Sequence, residues 1–272
     1  MKKIIYVLIA LCAFVVVSCS DADLLTTDSN VDLSTRSGVE SVDEDITSPE
    51  EYLTITYEGK TYKSVPTAYN AARDFVFLDD EFSALYEKEI SLLPELSIFM
   101  VGENEIELYK NLDELLEKKK ITLLQEVKEV KIEGVQLRAG NVNEPGYLML
   151  YDDKDFKDRL IDDYLNFSRI LTQVPNLDNS PYNFNDKCSS LRIYNNLPAN
   201  GTITLPTGTH PCTEVIAVFI GYDDKNYADR TIVGFDTIGA GAFEAKSLPN
   251  FNDKLSSYKF FFGQNGYYPA TI

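Results

Sequence analysis

Two stretches of the chain carry almost the same residues. They read Asn183-Phe184-Asn185-Asp186-Lys187-Cys188-Ser189-Ser190 and Asn250-Phe251-Asn252-Asp253-Lys254-Leu255-Ser256-Ser257. Asn and Asp offer hard oxygen donors, and the serine hydroxyls offer more at short spacing. Such a set suits Ca²⁺, which takes about six to eight oxygens at roughly 2.3–2.6 Å. The same residues also form Asx and Ser/Thr turns between strands. A second repeated element favours cation sites over bare turns. Tyr151-Asp152-Asp153-Lys154-Asp155-Phe156-Lys157-Asp158-Arg159 precedes the first stretch, and Tyr222-Asp223-Asp224-Lys225-Asn226-Tyr227-Ala228-Asp229-Arg230 precedes the second. The order A, B, A, B is an internal duplication with a period of about 70 residues. A unit of that length holds several strands.

The hexapeptides Asn185 to Ser190 and Asn252 to Ser257 resemble the calcium signature of the βγ-crystallins. That signature is two Asn/Asp, two variable residues, Ser/Thr, then Ser. Tyr151 with Phe156, and Tyr222 with Tyr227, resemble the family's aromatic hairpin. Where the family has Gly two residues after the second aromatic, this chain has Asp158 and Asp229. Asp is one of the few other residues tolerated at positive φ. The resemblance covers residues 146–263. It implies cations shared between the repeats, with Asp186, the Lys187 carbonyl and Ser189 as ligands in one and Asp253, the Lys254 carbonyl and Ser256 in the other. Asp152 and Asp223 would add carbonyl or carboxylate oxygens. Asn185 and Asn252 would ligate or hold the turn. So few carboxylates per ion imply modest affinity, in the range of about 10⁻⁴–10⁻³ M.

The elements that must position these residues begin after a targeting segment. Lys2 and Lys3 precede an apolar run of residues 4–17, too short to span a bilayer. Val16-Val17-Ser18-Cys19 resembles a lipobox, so residues 1–18 are expected to be a lipoprotein signal peptide and Cys19 the lipidated residue. Ser20-Asp21-Ala22-Asp23 resembles the surface-export signal of some Gram-negative lipoproteins. An outer-membrane, surface-exposed lipoprotein held by its N-terminal lipid is the resulting expectation. The acidic, unpatterned residues 19–50 read as a disordered tether.

The chain carries 25 basic and 43 acidic residues, a net charge of −18. Loss of the leader removes two lysines and no acid, so the mature chain is more acidic still. This argues against nucleic acid as a partner. Of the four cysteines, Cys188 and Cys212 remain beyond the lipid site. A disulfide between them and two buried free thiols are the alternatives.

The fold expected is an α+β N-terminal domain followed by an all-β double Greek-key sandwich. Residues 51–134 read as a small α/β unit of no assigned role. Strands at 53–57 and 60–63 flank Glu58-Gly59, and Asp79-Asp80 caps a helix bearing Phe82, Leu85, Tyr86 and Ile90, with Pro94 beyond it. A second strand pair falls at 96–101 and 106–109, and Asn111 caps a short helix with Leu112, Leu115 and Leu116. Residues 135–145 read as a linker, leaving two independently positioned domains. In the crystallin-like region, 146–272, matching first strands lie at 146–151 and 215–222, second strands at 159–161 and 230–233, and last strands at 189–194 and 256–261. Residues 196–211 read as an irregular loop with a short strand at 202–205.

No enzyme is expected. The single histidine, His210, lies in a Pro/Gly-rich loop, and metalloprotease, nucleophile-elbow and phosphate-loop motifs are absent from the sequence. The functional expectation is a Ca²⁺-binding module with a structural or adhesive role. A protease inhibitor or glycan-binding module is the alternative, with a glycan or a protein as its ligand.

Overall fold

The computed structural model describes residues 49–70, 75–124, 129–131, 144–166, 168–179, 181–205, 208–237 and 241–265. The signal peptide, Cys19, nearly all of the tether and most of the linker lie outside these residues.

The first segment opens with a hairpin of β1 (Glu51–Tyr57) and β2 (Lys60–Tyr69). Its turn, Glu58-Gly59, has φ of 48° and 79°, the pair of positive values a tight hairpin needs. After β3 (Phe75–Phe77) comes α1 (Asp80–Lys88), where the Asp79 carboxylate accepts from the Phe82 N–H at 2.8 Å. The N-cap, the acidic first turn and buried Phe82 define this helix. Strands β4 (Ser97–Gly102) and β5 (Glu105–Tyr109) pair antiparallel. Helix α2 (Leu112–Lys119) is capped by Asn111, which accepts from the Glu114 N–H at 2.8 Å. Strands β6 (Ile121–Leu123) and β7 (Glu129–Lys131) complete the segment.

The repeat region follows. Its first unit is β8 (Gly146–Tyr151), β9 (Arg159–Leu165), β10 (Leu171–Val174) and β11 (Ser190–Asn195). Between the units, β12 (Thr202–Leu205) and β13 (Gly208–Pro211) form a hairpin against β7. The second unit is β14 (Val215–Tyr222), β15 (Thr231–Thr237), β16 (Ala242–Ala245) and β17 (Ser257–Asn265). The two units exchange their third strands. One sheet runs β16-β11-β8-β9, with β16 from the second unit. The other contains β10-β17-β14-β15, with β10 from the first. Among the described residues each third strand pairs with a strand of the other unit, which ties the Greek keys together.

Residues 51–134 and 146–272 are not independently positioned domains, as the sequence suggested. Strand β4 pairs parallel with β15, matching Ser97, Ile98 and Phe99 to Thr231, Ile232 and Val233. Buried Ser97 and Thr231 share a hydroxyl hydrogen bond of 2.7 Å. Strand β6 pairs with the far end of β17. The sheet therefore continues β15-β4-β5-β1-β2-β3. The physical reason is the edge of β15, whose unpaired N–H and C=O groups are satisfied by β4.

One core lies between the crystallin-like sheets and continues under the first segment. It holds Leu148, Leu150, Ile193, Phe219, Phe260 and Phe262 together with Ile55, Phe82 and Ile98. A second core lies on the opposite face of the large sheet. There Ile216, Val218, Ile220, Val233 and Phe261 pack with Phe99 and with Leu115 of α2. This is why β14 is buried along its whole length and reads as a continuous apolar run. Cys188 and Cys212 are free, buried thiols, not a disulfide. Cys188 takes the core position that Leu255 takes in the second repeat, and its thiol donates to the Ser190 carbonyl at 3.6 Å.

Candidate metal centre

The two repeats build the same local structure from the same residues. After β8, the Asp153 N–H donates to Lys157 O at 3.4 Å, and after β14 the Asp224 N–H donates to the equivalent Ala228 O at 3.3 Å. Each hairpin folds its second aromatic back on the first. The Tyr151–Phe156 and Tyr222–Tyr227 centroids are both 5.5 Å apart, at 61° and 65°. The fold-back requires left-handed residues. Asp155, Phe156 and Asp158 have φ of 57°, 61° and 49°, and Asn226, Tyr227 and Asp229 have 59°, 64° and 66°. Asp158 and Asp229 thus occupy the positive-φ positions that glycine would fill. The final serine of each hexapeptide closes the hairpin. Ser190 and Ser257 donate to Asp153 O and Asp224 O, both at 2.6 Å. The same hydroxyls accept from the Phe156 and Tyr227 N–H groups at 3.2 and 3.1 Å.

The hexapeptides cross between repeats. The Asp186 N–H donates to Leu255 O, and the Asp253 N–H to Cys188 O, both at 3.1 Å. The side chains cross as well. Ser189 donates to the Asp253 carboxylate at 2.9 Å, and Ser256 to the Asp186 carboxylate at 3.1 Å. Asp186 therefore meets Ser256, and Ser189 meets Asp253. The acid and the hydroxyl of one hexapeptide belong to different clusters. Cluster I gathers Asp152, Ser189, Asn252 and Asp253 around a cleft of about 380 Å³. Cluster II contains Asp223, Asp186 and Ser256 in the equivalent arrangement.

Burial pushes the carboxyls of Asp152 and Asp223 above the ordinary aspartate range. At Asp152 the Lys187 ammonium opposes the rise, while the charges of Asp153, Asp253 and Asp158 add to it. At Asp223 Lys254 and Arg230 oppose it, and Asp229 and Asp186 add to it.

The residues present fit a hard cation. The amide oxygens of Asn185 and Asn252 are buried and have no hydrogen-bond partner among the described residues. A buried acceptor left unpaired is costly, and here it recurs at equivalent positions of both hexapeptides. Carboxylate, hydroxyl and amide oxygens are the donor set of Ca²⁺ rather than of Zn²⁺ or copper. Among the described residues no group of three or more His, Cys, Asp or Glu side chains is gathered to hold a metal. Any ion here would rely on neutral oxygens beside its carboxylates.

Sequence reasoning missed the groups that the first segment brings to cluster I. Glu50 and Tyr69 line the same cleft, together with Lys154. Nothing in the repeat signals them, because both precede it in the chain.

No family model matches this chain. No curated protein matches it. A solved structure described as "Evolution of the eye lens beta-gamma-crystallin domain fold" is similar at 18% identity, with a TM-score of 0.27; the match covers 50% of this chain and 98% of that one. The strand order carries the assignment. Two Greek keys with exchanged third strands and folded aromatic hairpins make the repeat region a βγ-crystallin-like fold.

Proposed function

We propose that this protein is a membrane-anchored extracytoplasmic lipoprotein whose crystallin-like region binds two Ca²⁺ ions, one at each cluster, in a structural or adhesive role. The observation that carries the calcium reading is the crossed pairing of Asp253 with Ser189 and Asp186 with Ser256. Each pair joins the two repeats, so an ion held there would strengthen their interface. The lipid anchor rests on Val16-Val17-Ser18-Cys19 after a short apolar run. Cys19→Ser is expected to move the protein from the membrane to the soluble fraction. A variant that stays membrane-bound would count against the anchor.

The calcium test is calorimetric titration and thermal melting of the mature ectodomain. Ligand that binds only the folded state adds RT ln(1 + [L]/Kd), about 1.4 kcal/mol per site at ten times Kd. At about 5 mM Ca²⁺, near ten times the middle of the weak-module range, melting should rise by several degrees. Asp253→Ala should remove one site and leave the other. Asp186→Ala should do the reverse, and the double variant should lose both. Ser189→Ala and Ser256→Ala should weaken one site each by less, since a hydroxyl is a neutral donor. The readout is the calcium-dependent increment, because each variant also deletes a hydrogen bond of the ion-free protein. Unchanged melting and no heat in the unsubstituted protein would overturn the calcium reading.

A further inference from the structure

The parallel pairing of β4 with β15 stops at Phe99 and Val233. Both strands run on, to Gly102 and Thr237. Beside the end of this pairing lies a cavity of about 430 Å³, within the range of small-molecule sites. Phe99 and Tyr109 of the first segment and Phe235 and Phe243 of the second repeat wall it with aromatic rings. The Phe99 and Phe235 centroids are 5.5 Å apart at 34°. Phe99 and Met100 are buried, whereas Val101 is 41% exposed, so the cavity runs from core to surface. Its charged residues are Lys118 and Lys119 at the end of α2, and among the described residues no carboxylate lines it. That is unexpected on a chain with 43 acidic and 25 basic residues. The neighbouring cavity, which shares Tyr109 and Lys118, carries Glu58, Glu107 and Glu114. The Glu107 carboxylate is already engaged, with the Lys119 ammonium at 2.7 Å and with the Tyr109 hydroxyl. Lys119 also lies 4.4 Å above the Phe99 ring. Lys118 is exposed and has no ion-pair partner among the described residues. The dipole alone favours lysines in the last turn of a helix, but it does not account for an acid-free aromatic cavity beside them.

Independently of the calcium reading, we propose that this cavity binds a small amphiphilic carboxylate. The hydrocarbon body of the ligand lies among the four rings, and its carboxylate meets the Lys118 ammonium at the rim. Burial of the body supplies affinity, and the unpaired ammonium selects the charge. A cationic amphiphile would meet two ammonium groups and no acid. A neutral one would leave Lys118 without a counter-charge.

The test is calorimetric titration of the mature ectodomain with octanoate, and with octanol and octylamine as its neutral and cationic counterparts. Chelator is present throughout, which keeps Ca²⁺ from the carboxylate and from the two clusters. Octanoate should bind best, octanol more weakly and octylamine least. A chain of net charge −18 attracts amines in general, so a preference for the anion reports the cavity. Lys118→Gln should weaken octanoate by about fivefold, the size of one ion pair at an exposed rim, and leave octanol unchanged. Val101→Glu puts an acid at the half-exposed mouth and should abolish octanoate binding while favouring octylamine. Thermal melting verifies that each variant is folded. No heat with octanoate would overturn the proposal. So would octanoate binding that Val101→Glu leaves intact, because the ligand would then sit elsewhere. Equal affinity for octanoate and octanol, or a Lys118→Gln variant that keeps the parent's preference between them, would overturn the selection by charge.

Discussion

Asp236 shows how far a single buried carboxyl can set the behaviour of this molecule. It lies on β15 with 2% of its surface exposed, and its carboxylate accepts from the Asn195 N–H of β11 at 2.7 Å. The Asn195 amide in turn donates to Val215 O at 2.7 Å. The group thus links the two crystallin-like sheets. Burial pushes its pKa up to about 7, against the pull of the N–H groups of Asn195 and Thr237. In the unfolded chain an aspartate titrates near 3.9. Because the folded value is the higher one, the contribution of Asp236 to stability is fully present below about pH 4 and is lost as pH rises through about 7. Asp236→Asn keeps an acceptor for Asn195 and removes the titration. The variant should melt several degrees higher than the parent above pH 7 and converge with it near pH 4. Asp152, Asp163 and Asp223 are raised as well, so the informative quantity is the difference between variant and parent. A constant difference across pH would show that Asp236 is not the titrating group.

Elements whose pairing is local were legible in the sequence, and those whose partner lies far away were not. The caps at Asp79 and Asn111, the Glu58-Gly59 turn and the first strands of both repeats fall where turn chemistry and apolar alternation put them. The second strands run further than expected, to Leu165 and Thr237. In β9 the alternation is masked by Asp162-Asp163. Asp163 is nonetheless buried, accepting from the Tyr258 hydroxyl at 2.9 Å and pairing with Arg169 at 3.1 Å. In β15, Gly234 reads as a break, but a Cβ there would come within 2.8 Å of the Met100 Cε, so the strand is held by a neighbour from the first segment. The third strands, β10 and β16, are four residues each and, among the described residues, pair across the repeats. Nothing local marks them. The oxygen donors were legible by type and spacing, and the positive φ at Asp158 and Asp229 agrees with the family pattern. Which acid meets which serine was not legible. The crossing is fixed by the packing of one repeat on the other, and the hexapeptide contains no trace of it.

At the scale of the whole molecule, the first segment is part of the crystallin-like fold and not an appendage to it. It covers the β15 edge with β4, extends the β17 edge with β6, and lays α2 over the outer face of the large sheet. The apolar run in β4 already hints at this, since Ser97, Ile98, Phe99 and Met100 are buried on both faces. A strand at the edge of a small independent domain would keep one face in water. Removing residues 1–140 would uncover Ile216, Val218, Val233 and Phe261, which now pack with Phe99 and Leu115. Each large apolar side chain returned to water costs about 1.5–3 kcal/mol, and the bared β15 edge offers a template for association. A fragment of residues 49–272 should therefore melt in one cooperative transition. A fragment of residues 141–272 should melt well below it, bind a hydrophobic dye and self-associate on gel filtration. The comparison belongs in chelator, so that lost calcium affinity does not contribute to the difference. A monomeric 141–272 fragment with the melting temperature of the longer one would mean that the shared sheet adds nothing to stability.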